Sequence, residues 1–258
     1  MNPAAKKVSA PRPISAQGFK PVAYFSGMVL LATAAMMAFP MLADLYFGNE
    51  DWKAFAFACV LTFIPGMSLV YLTKGSLKAG LSLRQAFLLT PLSWLAVSIF
   101  SAIPFYLSDY GIVGGSPADS FFEAVSGITT TGATVISGLD GAPPGMLLWR
   151  ALLQWMGGIG IIATAIAILP ALGIGGMQLF RTESSDRSEK AMPRVRQIAA
   201  TLGKTYVGLT VLAVLVYWAA GMRLFDAVAH AMTSIATGGY STSDASFGRW
   251  ESNGIQWF

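Results

Sequence analysis

The feature that most constrains this chain is a series of long apolar stretches. They occupy residues 21–47, 52–73, 83–107, 144–180 and 195–222. A helix needs about 20 mostly apolar residues to cross a bilayer. The chain is 54% hydrophobic and only 12% charged, which is about half the charged fraction of a soluble domain. These features predict an integral membrane protein and argue against a soluble nucleic-acid-binding protein.

The basic residues predict an orientation for the spans. If the amino terminus is cytoplasmic and the spans alternate, 13 of the 17 lysine and arginine residues lie on the cytoplasmic side. Such an excess commonly sets the topology of membrane proteins. We therefore expect a multi-pass protein of the cytoplasmic (inner) membrane. Residues 1–20 would form a basic cytoplasmic tail, and residues 21–80 would form two amino-terminal transmembrane helices.

Two runs rich in threonine and glycine interrupt the apolar pattern. One covers residues 129–132 after an amphipathic segment at 118–128, and the other covers residues 237–239 after a segment at 224–235. Backbone polar groups at membrane depth must be satisfied, so an extended run is tolerated only where protein buries it or where it lines a wet cavity. A short helix followed by such a run is typical of an ion filter made of main-chain carbonyls.

The two runs belong to an internal repeat. An offset of 107 residues places Gly132 on Gly239 and Ile128 on Ile235. Duplicated membrane units commonly share a site near the midplane. The predicted fold is an all-α polytopic membrane protein made of M1–pore helix–M2 repeats with extended selectivity-filter loops. The first repeat would cover residues 81–193, and the second, incomplete repeat would cover residues 194–258.

The lining of such a filter indicates the kind of ion. Carbonyls of residues 129–132 could replace the water that a cation sheds, and the threonine hydroxyls could add ligands or support the wall. Magnesium and calcium sites usually recruit carboxylates, which these runs lack. The pattern therefore favours a large, weakly hydrated monovalent ion.

Four stretches of the sequence resemble a known family. Phe-Phe-Glu-Ala-Val-Ser-Gly-Ile-Thr-Thr-Thr-Gly-Ala-Thr, from Phe121, is similar to the first pore loop of the Trk/Ktr/HKT potassium transporters, closest to bacterial Trk pore-forming subunits of the TrkH type. Residues 153–162, 168–181 and 235–246 extend the likeness. The resemblance implies a pore of four repeats, of which this chain carries the amino-terminal half. It assigns these residues to the K+ filter: Thr130, Thr131, Gly132, Thr237, Gly238 and Gly239.

The resemblance also implies a function and partners. The function would be potassium uptake, with the potassium ion as transported substrate, symport as one mode, and no organic cofactor in this chain. The partners would be the lipid bilayer, a second copy of the full-length protein and a cytosolic nucleotide-binding regulatory subunit (TrkA-like), with no nucleic acid. The polar loop at 181–196 is either a solvated connector or a docking site for that subunit. Because two repeats are missing, we expect a truncated chain, and the alternative function is a non-transporting membrane fragment or assembly subunit.

Three other features need an interpretation. Glu123 either attracts cations at the pore mouth or bonds neighbouring backbone amides. Arg150 is interpreted as an anchor that snorkels to the outer membrane surface. The glycines at 157–160 favour close helix packing over nucleotide binding, because no strand precedes them.

An intramembrane enzyme is the competing class of function. Ser126 and His230 would be its reactive groups, but these two do not share one helix face, and no H-E-x-x-H motif is present. For His230 a structural or capping role is the preferred interpretation. The protein is therefore not expected to be an enzyme.

Overall fold

A computed structural model describes residues 19–74, 83–172 and 188–250 of the chain. Residues 1–18 of the predicted tail at 1–20 and residues 181–187 of the loop at 181–196 lie outside the described residues. The helices are α1 (Lys20–Met36), α2 (Ala38–Phe47), α3 (Trp52–Thr73), α4 (Leu83–Leu107), α5 (Pro117–Ile128), α6 (Pro144–Leu172), α7 (Ser188–Ala219) and α8 (Leu224–Ile235). The described part of the chain contains no strand.

Five helical segments are long and apolar enough to cross a membrane. They are Lys20–Phe47, Trp52–Thr73, Arg84–Leu107, Pro144–Ile162 and Gln197–Ala219. The all-α polytopic class predicted from the sequence is therefore confirmed.

Proline shapes the first span as its chemistry requires. Helix α1 ends at Met36 and α2 begins at Ala38, so the break lies just before Pro40. Proline has no N–H to donate, and its ring collides with the carbonyl four residues earlier, which here belongs to Met36. The helix is thus interrupted where the sequence predicts a bend, and the bend itself stays a prediction.

The described part of the segment that begins at residue 144 excludes one of its two predicted forms. The sequence predicts a bent helix or two pieces over 144–180, because of the glycines at 157–160 and Pro170. The described part is one helix, α6, as far as Leu172. Two pieces are therefore wrong for residues 144–172. The bent helix stays a prediction, and residues 173–180 lie outside the described ones.

The two short helices have a common neighbour. Helix α5 packs against α4 and α6, whereas α8 packs against α7 and α6. Each has 12 residues, which corresponds to about 18 Å and is too short for a hydrocarbon core of about 30 Å. Helix α6 thus joins the two repeats, and the loops that follow α5 and α8 lie beside it.

The start of α5 follows local sequence signals. Ser116 is the N-cap, Pro117 occupies the first turn, and Ser116 Oγ accepts a hydrogen bond from the Asp119 N–H at 3.4 Å. Both residue types are preferred at these positions. Ala124 and Ile128 of α5 then join Trp149 and Leu153 of α6 in the main hydrophobic core.

Candidate ion-coordinating loops

The loops after α5 and α8 have the same unusual backbone. Thr130 and Thr237 have φ of 57° and 56°, and Gly132 and Gly239 have φ of 79° and 84°. The residue pairs are separated by the predicted offset of 107. A positive φ is rare for a β-branched residue and persists only where the surroundings enforce it. The two threonines therefore mark a conformation that both repeats maintain.

The hydrogen bonds of the loops repeat with the same offset. In both units, the first residue with positive φ and its successor donate their N–H groups back to carbonyls near the end of the short helix. The four bonds are Thr130 to Gly127 (3.0 Å), Thr237 to Ser234 (3.0 Å), Thr131 to Ser126 (3.0 Å) and Gly238 to Thr233 (2.8 Å). These bonds turn the N–H groups of both loops towards the ends of the short helices.

The sign of φ alternates along each loop. Thr131 and Gly238, which lie between the residues with positive φ, do not themselves have positive φ. A backbone whose φ alternates in sign can turn successive N–H groups to one side and its carbonyls to the other. Such a segment can present several carbonyl oxygens to one cation.

The two loops touch at their glycines. A β-carbon on Gly132 would overlap the carbonyl oxygen of Gly238, and a β-carbon on Gly238 would overlap the side-chain amide of Gln154. Only glycine fits at either position. The structure therefore brings the two sequence-predicted runs together.

The threonine hydroxyls of the first loop bond within the protein. Thr129 Oγ1 donates to the Val125 carbonyl at 2.7 Å and lies 2.8 Å from Thr131 Oγ1. Of the two roles considered for these hydroxyls, this geometry matches support of the wall.

Close packing accounts for the glycines of α6. A β-carbon on Gly157 would overlap the Ile128 carbonyl oxygen, and one on Gly158 would lie 2.5 Å from Tyr206 Oη. The interpretation as packing glycines is confirmed for Gly157 and Gly158, whereas a β-carbon on Gly160 would have its nearest neighbour at 3.6 Å.

Arg150 is buried, and its predicted role as a snorkelling anchor is wrong. Its side chain is 1% exposed. Its Nε donates to Glu123 Oε1 at 2.7 Å, and its Nη1 donates to the Ser241 carbonyl at 2.9 Å. The guanidinium carbon also lies 4.0 Å from the centre of the Tyr240 ring. Because α6 packs against both short helices, position 150 is enclosed by the two repeats.

Glu123 bonds the backbone of its own loop. Its carboxylate accepts the Val135 N–H at 3.1 Å and the Thr134 hydroxyl at 2.9 and 3.0 Å, in addition to Arg150. The side chain is fully buried. Of the two interpretations, the geometry favours amide bonding over attraction of cations at the mouth.

His230 occupies the position equivalent to Glu123. Its Nε2 lies 3.1 Å from Ser241 Oγ, and its Nδ1 lies 2.8 Å from the Asp226 carbonyl. Ser126, the other candidate reactive group, donates its hydroxyl to the Ala133 carbonyl at 2.5 Å. Among the hydrogen bonds of the described residues, Ser126 and His230 do not bond each other. Both side chains instead hold the loops, as the structural interpretation of His230 expects.

Sequence reasoning missed Tyr240 and Gln154. Tyr240 Oη lies 3.1 Å from the carbonyls of Ala133 and Glu123, and the Tyr240 N–H donates to Gln154 Oε1 at 3.1 Å. The repeat offset of 107 residues aligns Tyr240 with Ala133, and this difference between the repeats is the sequence signal that could have identified Tyr240.

The fold and the loops together define a class. Two units, each a short helix followed by a loop with alternating φ, lie among apolar helices long enough to span a bilayer. This is the architecture of a pore-loop membrane protein.

Comparison with known proteins places the chain within that class. The chain belongs to the TrkH family of cation transport proteins, whose sequence pattern it matches over residues 52–258. The Trk system potassium uptake protein TrkH of Halomonas elongata is 42% identical over 232 residues, which are 89% of this chain and 48% of the relative. TrkH of Escherichia coli K12 is 39% identical over 240 residues, 91% of this chain and 48% of the relative.

A solved structure gives the same assignment. The crystal structure of the potassium transporter TrkH from Vibrio parahaemolyticus superimposes with a TM-score of 0.78 at 33% identity, over 93% of this chain and 47% of that one. The chain thus spans about half the length of the relatives it matches.

Proposed function

We propose that this chain contributes two filter loops to a potassium-uptake pore of the cytoplasmic membrane. Backbone carbonyls from each loop would replace water around the ion. The residues concerned are Thr130, Thr131, Gly132, Thr237, Gly238 and Gly239. The observation that carries the proposal is the matched alternation of φ in two loops that touch at Gly132 and Gly238.

The local electrostatics support a monovalent cation. Both loops follow the carboxyl end of a short helix, where the helix dipole is negative. Glu123, whose carboxylate bonds Thr134 and Val135, is paired with Arg150 at 2.7 Å and is fully buried. The runs at 129–132 and 237–239 themselves contain no carboxylate, which makes them a poor environment for magnesium or calcium.

The names of the relatives support the choice of ion. The Halomonas and Escherichia proteins are potassium uptake proteins by name. Because the chain spans about half of each, a complete pore would need further loops. We propose that the rest of a full-length polypeptide supplies them, with symport coupled to protons or sodium as one mode of uptake. The full-length protein would form a homodimer with a cytosolic nucleotide-binding subunit, and its amino terminus would be cytoplasmic.

The test is rubidium and sodium uptake by the full-length protein in a strain that lacks potassium uptake. A serine at Gly132 would drive its β-carbon into the Gly238 carbonyl. Strain of this kind costs on the order of 1–3 kcal/mol, so we expect Gly132→Ser to lower the ratio of rubidium to sodium uptake by about tenfold.

Gly48→Ser is the matched control. Gly48 has a similar φ of 72°, against 79° for Gly132, but an added β-carbon meets nothing within 4 Å. It should retain the wild-type ratio. Wild-type uptake and selectivity in Gly132→Ser would refute the filter assignment.

The second candidate is a non-transporting membrane fragment or assembly subunit. The observation that favours it is the coverage of about half of each relative. Failure of a full-length gene product to restore growth at low potassium, while it still reaches the membrane, would favour this alternative.

A further inference from the structure

Tyr240 reaches from the second loop to its own counterpart in the first. Tyr240 and Ala133 are 107 residues apart and occupy equivalent positions, directly after Gly239 and Gly132. Tyr240 carries a phenol group, whereas Ala133 carries only a methyl group. Tyr240 Oη lies 3.1 Å from the Ala133 carbonyl and 3.1 Å from the Glu123 carbonyl. The hydroxyl therefore joins the two loops one residue beyond each glycine.

The rest of Tyr240 is held from α6. Gln154 Oε1 accepts the Tyr240 N–H at 3.1 Å, and the Arg150 guanidinium lies 4.0 Å from the centre of the ring. Arg150 and Gln154 are four residues apart, so they share one face of the helix. Both are almost completely buried, as is Tyr240, which is 4% exposed. The ring thus has a fixed position relative to α6.

The same glutamine also limits the position of the second loop. The side chain of Gln154 fills the space beside Gly238, and the Gly238 carbonyl in turn fills the space beside Gly132. Gln154, Gly238 and Gly132 therefore form one contiguous contact. The Tyr240 hydroxyl adds a further link between the two loops, because it lies 3.1 Å from the carbonyl of Ala133, the residue after Gly132.

We propose that Tyr240 is a positioning residue that sets the separation of the two carbonyl loops and thereby the size of cation they prefer. This proposal rests on the proposed function. Carbonyl filters discriminate between cations by cavity size or by the field of the carbonyl dipoles, and both depend on how far apart the loops stand. Tyr240 need not touch the ion, since it acts through the Ala133 carbonyl.

The decisive variant is Tyr240→Phe in the full-length protein. It removes the hydroxyl and retains the ring beneath Arg150. One buried hydrogen bond contributes about 1 kcal/mol, so we expect the ratio of rubidium to sodium uptake to fall about fivefold. Maximal rubidium uptake should stay near the wild-type value, because the carbonyls themselves remain.

Tyr206→Phe is the matched control. Tyr206 is also buried, at 7% exposure, and its hydroxyl also donates to a carbonyl, that of Trp155, at 3.0 Å. That bond joins α7 to α6 and does not involve either loop. Tyr206→Phe should leave the uptake ratio unchanged.

A second measurement separates positioning from simple stabilisation. The thermal unfolding temperature of the purified full-length protein is compared in potassium chloride and in sodium chloride. If the proposal is correct, Tyr240→Phe reduces the amount by which potassium raises the unfolding temperature above its value in sodium. An equal drop of the unfolding temperature in both salts would indicate a structural role alone and would overturn the proposal.

The outcomes also distinguish this proposal from the proposed function. If the wild-type protein transports and Tyr240→Phe keeps the wild-type ratio of rubidium to sodium uptake, only the proposed role of Tyr240 is overturned. A wild type that takes up neither ion, and that potassium does not stabilise over sodium, overturns both.

Discussion

Replacing Arg150 with methionine tests the contact that joins the two repeats. The ion pair with Glu123 has side-chain exposures of 1% and 0%, so solvent cannot screen the charge that the substitution leaves behind. Arg150→Met also removes the donor to the Ser241 carbonyl and the cation over the Tyr240 ring. Methionine retains much of the arginine's volume, which limits the cavity.

The size of the effect follows from the burial. Removal of one partner of a buried ion pair costs about 3–5 kcal/mol, because the other charge remains buried and unpaired. Glu123→Gln in the same chain removes that charge and leaves an amide oxygen to accept the Val135 N–H. We therefore expect Arg150→Met to lower the free energy of unfolding by about 4 kcal/mol. In the double variant the loss should be smaller, with a coupling energy of about 2–3 kcal/mol.

The assay is unfolding of the purified full-length protein in detergent micelles, followed by tryptophan fluorescence. Arg249→Met is the control, since Arg249 and Asp140 form an ion pair at 2.5 Å whose side chains are 36% and 50% exposed. Exposed pairs contribute about 0–1 kcal/mol. If Arg150→Met costs no more than this control, or if the double variant equals the sum of the single ones, the reasoning is refuted.

Two further substitutions test how α6 is held. Asp44→Ala should lower the free energy of unfolding by about 1–2 kcal/mol, because the buried carboxylate accepts the Gly145 N–H at 2.6 Å in the first turn of α6. Thermal unfolding measures this loss. Asp44→Asn retains an oxygen that can accept the bond, so it should recover most of the lost free energy. Gly157→Ala should cost about 1–3 kcal/mol in the same assay, because its β-carbon would overlap the Ile128 carbonyl. Gly160→Ala should cost much less, since the nearest neighbouring atom is 3.6 Å away. Equal stability of the two alanine variants would contradict the packing role.

Local signals explain why so much of the fold could be predicted. Helix α4 covers Leu83–Leu107 and α8 covers Leu224–Ile235, as the sequence indicated. Span length follows from hydropathy, and the break before Pro40 follows from one residue's chemistry. The repeat offset predicted which loop residues are equivalent, and the φ angles at Thr130 and Thr237 agree with it.

The contacts around Arg150 could not be predicted in this way. Its partners Glu123 and Ser241 are 27 and 91 residues away in sequence, and Tyr240 bonds a carbonyl 117 residues away. A cation near the start of an apolar stretch looks the same in sequence whether it faces headgroups or a buried carboxylate. Only the packing of α6 between the two short helices distinguishes these cases.

The two repeats hold the same loop with different chemistry. In the first, Glu123 accepts the Thr134 hydroxyl, and in the second His230 bonds the Ser241 hydroxyl at the equivalent position. A buried carboxylate needs a cation, which Arg150 supplies, whereas an imidazole can serve as a neutral partner. Because the side chains differ while the φ angles and backbone hydrogen bonds agree, what the two units have in common is the conformation of the main chain. A filter made of carbonyl oxygens would require this, since its ligands belong to the backbone.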